Sequence, residues 1–165
     1  MVKAVDSRAW YALAVARMLL GLIFLWAFFD KLFGLGYATP TASSWVNGGS
    51  PTKGFLLGVQ GPFTDIFQSL IGHGWVDWLF MLGLLGVGVG LLFGIAMRLS
   101  VVFGALLLLL MWMASLPIKT NPLIDDHVVY IAVLVTLYFG SNNQKLSLVK
   151  WWEKIPLIKR NAWLK

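Results

Sequence analysis

An all-α integral membrane protein, built as a bundle of four transmembrane helices, is the fold class this sequence predicts. Three observations carry that expectation. Of 165 residues, 59% are hydrophobic and 12% charged, where a soluble domain would be about half apolar and a quarter charged. Four apolar segments approach the roughly 20 residues that a helix needs to cross ~30 Å of hydrocarbon. The stretches between them are turn-rich or amphipathic, with no sign of a separate soluble domain or an internal repeat, so residues 1–165 read as one transmembrane domain.

The first span is expected over about residues 10–35 and is interrupted by Arg17 and by Asp30-Lys31. It is too long for a cleaved signal peptide, and no small-residue cleavage site follows its apolar stretch. The connection from Gly36 to Gly74 contains WVNGGSPTKGF, which is rich in turn residues. Apolar residues at 55, 56, 59, 63, 66, 67 and 70 follow, a spacing that predicts a short helix broken by Gly and Pro and lying at the membrane interface. The second span is expected over 75–97 and the third over 99–116, joined by a tight turn at Arg98. Pro117 and Pro122 flank Asn121 and end the helix on both sides of a turn. The fourth span is expected over 124–140, and residues 144–165 form a basic interfacial tail anchored by Trp151, Trp152 and Trp163.

Charge distribution sets the orientation. With four spans both termini share a side, which holds Lys3, Arg8, Arg17, Arg98, Lys145, Lys150, Lys154, Lys159, Arg160 and Lys165 against only Asp6 and Glu153. The other side holds Lys31, Lys53 and Lys119 against Asp30, Asp65, Asp77, Asp125 and Asp126. The positive-inside rule then predicts both termini inside. The net charge of +6 is read as topology-setting charge, and no nucleic-acid partner is expected. The absence of cysteine excludes disulfides, iron–sulfur clusters, covalent haem attachment and thiol redox chemistry. His73 and His127 keep only a bis-histidine haem formally open, so no haem, iron–sulfur cluster or flavin is expected. Metal binding is not expected either, since no HxxxH or ExxH spacing occurs.

Two stretches carry chemistry-bearing residues. In NPLIDDHVVY, with Asp126 at zero, Tyr130 falls near 40° and His127 near 100° at about 100° per residue. Asp126, His127 and Tyr130 are thus expected to share a face as the catalytic candidates: an acid beside a histidine raises its basicity and fixes its tautomer. Asp125 points elsewhere and suits a helix cap, and Asn121 begins the turn. On the first helix, Lys31 falls at the level of Asp126 and is expected to pair with it. Arg17 lies about 21 Å away along the axis, with lipid phosphates, backbone carbonyls, an anion or a quinone oxygen as candidate partners. Trp45, with Trp26, Trp75, Trp78 and Trp112, could wall a flat slot. Lys31, Arg17, Trp45 and Asn121 are the ligand-binding candidates, and a membrane quinone is the cofactor such an arrangement would take. In the second helix Gly83, Gly86, Gly90 and Gly94 fall on one stripe, expected to let a neighbouring helix approach.

RMLLGLIFLWAFFDKLFGLG, SWVNGGSPTKGFL, GPF, VDWLFMLGLLGVGVGLLFGIAMR, MWMASLP and NPLIDDHVVY together resemble the DoxX/DoxD family of small four-helix membrane proteins, over nearly the whole chain to about Trp152. The DoxD branch of that family is the membrane subunit of thiosulfate:quinone oxidoreductase, which joins thiosulfates to tetrathionate, passes electrons to quinone and works with a small partner subunit. Other DoxX-type proteins are linked to terminal oxidases or to oxidant defence. The resemblance implies a quinone-linked redox subunit with a partner subunit in the membrane or on its periplasmic side, or a homo-oligomer. A non-catalytic accessory or assembly subunit of a larger respiratory complex stands as the alternative. A transporter has less to build on, since no inverted repeat is present.

Overall fold

The computed structural model describes residues 7–119 and 121–164; the charges at Lys3, Asp6 and Lys165 that enter the topology count lie outside them. The described residues are helical, with no strand. Helix α1 spans Ser7–Phe33, α2 Lys53–Leu57, α3 Thr64–Gln68, α4 Gly74–Phe93, α5 Met97–Ala114, α6 Asp126–Phe139, α7 Val149–Trp152 and α8 Pro156–Arg160. Three of them, α1, α4 and α5, are long and apolar enough to cross a membrane. The expected fourth span is shorter than its apolar run. Asn121 to Asp125 form a capping turn, and α6 keeps 14 residues, about 21 Å of helix.

Helix ends follow local chemistry. α1 stops at Gly34, which takes a left-handed φ of 66° and donates its N–H to Asp30 O at 2.8 Å. α4 stops at Gly94 (φ 64°), whose N–H returns to Gly90 O. Only glycine adopts this conformation without strain, which is why each helix breaks where it does. α6 starts at Asp125, whose side chain accepts from the His127 and Val128 amides.

α1 lies chiefly against α4, α4 against α5 and α5 against α6, with a smaller α1–α6 contact. One apolar core links them through Leu20, Phe24 and Phe28 of α1, Met81, Leu84, Val87 and Leu91 of α4, Val101 and Leu108 of α5, and Leu134 and Leu137 of α6. The outward side chains are apolar as well: Leu79, Leu82, Phe103 and Leu106 are each about half exposed or more. A helix apolar all round suits hydrocarbon, not water.

The glycine stripe does not form a single seam. α1 and α4 approach closely at Gly21 and Gly88, and Gly88 is off the expected stripe. A Cβ on Gly21 would come within 2.7 Å of Leu92 N, and one on Gly88 within 2.7 Å of Leu25 Cγ. Gly83 and Gly90 instead face α5, at Leu107 and Ser100, while Gly86 has open space beside it. Gly94, at the helix end, meets Arg17, Gln144 and Ser147, so the four expected positions meet three different surroundings.

The long connection forms α2 and α3, broken over Gly58–Phe63 as the sequence predicts. Leu56, Val59 and Phe67 bury themselves with Ala114 at the end of α5, so the segment is seated on the bundle as well as amphipathic. The tail folds back: Leu148 N donates to Phe93 O at 2.8 Å, and Ile158 is buried. Trp152 is a structural residue and not a free anchor, because its Nε1 donates to Leu164 O at 2.6 Å. Trp151 and Trp163 remain exposed.

Candidate functional site

The end of the molecule that gathers the last turn of α1, the first turns of α4 and α6 and the end of α5 carries most of the expected site residues. His127 is held by Asp125, not by Asp126: its Nδ1 lies 2.7 Å from Asp125 Oδ2, while Asp125 Oδ1 accepts the His127 amide at 3.0 Å. The same carboxylate therefore caps the helix and orients the imidazole. Spacing along an ideal helix fails here because Asp125 sits before the first helical turn, with extended backbone (φ −132°, ψ −170°), so its side chain folds back over His127. Asp126 is exposed to the outside, and Tyr130 packs against the core one turn on. The expected hydrogen-bonded face of Asp126, His127 and Tyr130 is thus not assembled.

The Asp125–His127 pair is partly shielded, with side chains 17% and 21% exposed. Burial pushes the Asp125 carboxyl up, but the hydrogen bond and charge of His127 and the amides of Val128 and His127 outweigh it and leave the pKa below the ordinary carboxylate value. Among the described residues the pair leaves His127 Nε2 without a partner, a second imidazole nitrogen available for proton exchange. Asn121 acts upstream of it. Its Oδ1 accepts from the Leu123 and Ile124 amides, both at 3.0 Å, and Trp112 Nε1 donates to Leu123 O at 3.0 Å. Asn121 and Trp112 therefore fix the entry to α6.

The expected Lys31–Asp126 ion pair does not form. Lys31 Nζ lies over the Phe80 ring, 5.9 Å from its centroid, at the outer limit of a cation–π contact. Its neighbour Asp30 is the buried acid, 2% exposed, and accepts from the Tyr37 and Ala38 amides at 3.3 and 3.0 Å. Asp30 is a residue that helical spacing misses, since its partners belong to the turn after α1; the glycines at 34 and 36 were the signal that the chain doubles back there. Trp45 meets Trp78 edge-on at 4.7 Å. Beside them Asp77 accepts from Ser50 Oγ at 2.8 Å and from Thr52 N and Oγ1 at 3.2 and 2.5 Å, which latches the SPT turn to α4. Among the described residues no three His, Asp or Glu side chains gather to hold a metal ion.

Arg17 lies at the opposite end and does not snorkel to the surface. It is 1% exposed. Nη1 donates to Gln144 Oε1 and Nη2 to Leu146 O, both at 2.6 Å. The site is level with the α4–α5 turn, since a Cβ on Gly94 would come within 2.5 Å of Arg17 Nη1. Of the partners the sequence allowed, a backbone carbonyl is the one seen; Gln144 was not anticipated, because it follows α6 in a segment with no helical register. No family model, curated protein or solved structure matches the chain.

Proposed function

We propose that the chain is a DoxX/DoxD-like membrane subunit of a quinone-linked redox system. It sits in the plasma membrane of a prokaryote as a four-span bundle with both termini inside. α6 spans with the help of its capping turn and the 3₁₀ turn that follows it, where a short apolar helix is tolerated by local thinning of the bilayer. In this reading the subunit passes electrons from a small sulfur compound such as thiosulfate to membrane quinone, alongside a partner subunit. The observation that carries it is the Asp125–His127 pair, 2.7 Å apart and partly shielded at the mouth of α6. A carboxylate on Nδ1 fixes the tautomer and leaves Nε2 to take or give the proton that accompanies quinone reduction. Tyr130, Lys31, Trp45 and Trp78 share that end of the bundle and would flank a quinone head.

The test is thiosulfate-dependent quinone reduction by the chain with its co-purifying partners, reconstituted in membranes. His127→Ala and Asp125→Asn should each lower turnover, and Asp126→Asn should not. Unchanged turnover in His127→Ala would remove the proposed role.

A second reading is favoured by how the remaining polar residues are used. Asp30, Asp77 and Asn121 each hold a turn, which suits a non-catalytic accessory or assembly subunit of a respiratory complex. Co-purification with oxidase subunits, with full oxidase activity in His127→Ala, would support it.

A further inference from the structure

Arg17 is the most buried charge in α1, and among the described residues no carboxylate pairs with it. Its two hydrogen bonds go to neutral dipoles, and its Nε has no partner. A buried guanidinium with an orphaned N–H favours an anion nearby. The cavity directly beside it, lined by Trp10, Leu13, Met97 and Gln144 among others, is only about 10 Å³, room for about one water. The cover over Arg17 is the segment from Gln144 to Leu148. Leu146, whose carbonyl receives Nη2, takes φ 50°, a left-handed conformation that strains a leucine.

Leu146, Ser147 and Leu148 of that cover also line an open groove of about 470 Å³, together with Met18, Leu92 and Phe93. Its volume matches that of small-ligand clefts, and its walls are apolar. Met18 adjoins Arg17 in sequence, and Leu146 belongs to both places: it lines the groove and its carbonyl accepts from Arg17 Nη2. Both lie at the α4–α5 turn, where a bilayer carries its headgroups if α4 spans it. The tail that continues from this cover carries exposed cations at Lys145, Lys150, Lys154, Lys159 and Arg160.

We propose that this is a specific site for an anionic phospholipid. One acyl chain fills the groove, and the phosphate replaces the Leu146 carbonyl on Arg17 as the strained cover moves aside. The complementarity is of two kinds: an apolar slot for the chain, and, for the phosphate, an uncompensated buried cation whose cover continues into a basic tail. The inference requires only that α1 and α4 cross a bilayer and is independent of any redox role.

The test uses the full chain, delipidated in neutral detergent, with lipid binding followed by native mass spectrometry. Phosphatidylglycerol, phosphatidylcholine with the same chains, and inorganic phosphate are the probes. One phosphatidylglycerol should bind at least about fivefold tighter than phosphatidylcholine, the discrimination expected of a single basic contact near the surface. Millimolar phosphate should not displace it. Arg17→Gln should abolish the preference. Because Arg17→Gln removes a clasp and can fail to fold, Leu148→Trp serves as the second variant: it fills the groove and leaves Arg17 and both of its partners in place. It should lose the tight site while melting like the wild type. Equal binding of the two lipids, displacement by phosphate, or tight binding retained in a folded Leu148→Trp or Arg17→Gln variant would each overturn the proposal.

Discussion

Replacing Gly94 with alanine tests whether the Arg17 clasp holds the bundle together. Gly94 caps α4 with φ 64° and lies where a Cβ would come within 2.5 Å of Arg17 Nη1, and within 2.6 Å of Gln144 Oε1 and Ser147 Cβ. Two costs follow. A non-glycine residue in the left-handed region costs about 1–2 kcal/mol. Displacing the guanidinium loses a charge-assisted hydrogen bond, about 1.5–3 kcal/mol. Part of the second cost is recovered as the side chains shift, so about 3 kcal/mol is expected, a lowering of the melting temperature by roughly 6–12 °C for a chain of this size. The assay is thermal unfolding in detergent, with Gly86→Ala as control, since Gly86 lies in the same helix with nothing within 4 Å of its added methyl. The control should melt with or slightly above the wild type. A double-mutant cycle with Gln144→Ala separates the two costs: if alanine at 94 acts through the clasp, the second substitution adds little. Gly94→Ala melting within a degree of Gly86→Ala would refute the reasoning.

Three other outcomes are expected. Asp125→Ala should destabilise α6 by about 1 kcal/mol through loss of its cap, measured by the same melt. Because the folded pKa of Asp125 is depressed, its contribution is complete above the unfolded carboxylate value of about 3.9. It is lost as the pH falls through the lower folded value, so the wild type should lose more stability in that acid window than Asp125→Ala does. Gly88→Leu should separate α1 from α4 and cost about 1–3 kcal/mol as an overpacked contact; an unchanged melt would place the close approach elsewhere. Asp77→Ala should release the Ser50–Thr52 turn without unfolding the bundle, read as faster amide exchange or protease cleavage around Gly48–Gly54 at an unchanged melting temperature.

Much of the fold was legible because hydrocarbon demands long apolar runs and because Gly and Pro interrupt them. Gly34, Gly94 and Pro117 mark where α1, α4 and α5 end or the chain turns, and the broken helix pair of the long connection followed from its apolar spacing. The site was legible only in part. Asp125 was recognisable as a cap, but a cap lies outside the helical register, so angular spacing assigned its histidine to the wrong carboxylate. Lys31 was expected against Asp126 because both stand at one level. Level along the axis does not fix azimuth, and Phe80 of α4 occupies the lysine's side of α1. Arg17 was plainly anomalous in an apolar helix, yet its partners belong to Gln144 and Leu146 in an irregular segment far along the chain, where no periodicity reveals a contact.

In the proposed orientation the two ends of the bundle lie on opposite faces of a membrane, the Asp125–His127 pair outside and the Arg17 clasp inside. The chain has no cysteine, so single cysteines introduced at Lys53 and Asn142, both exposed, report each face without background. In intact cells a membrane-impermeant maleimide should label the cysteine at 53 and spare the one at 142, which should react only after permeabilisation. Labelling of 142 in intact cells with 53 protected would contradict the orientation, and labelling of both from outside would contradict a crossing by α6 and with it the four-span bundle.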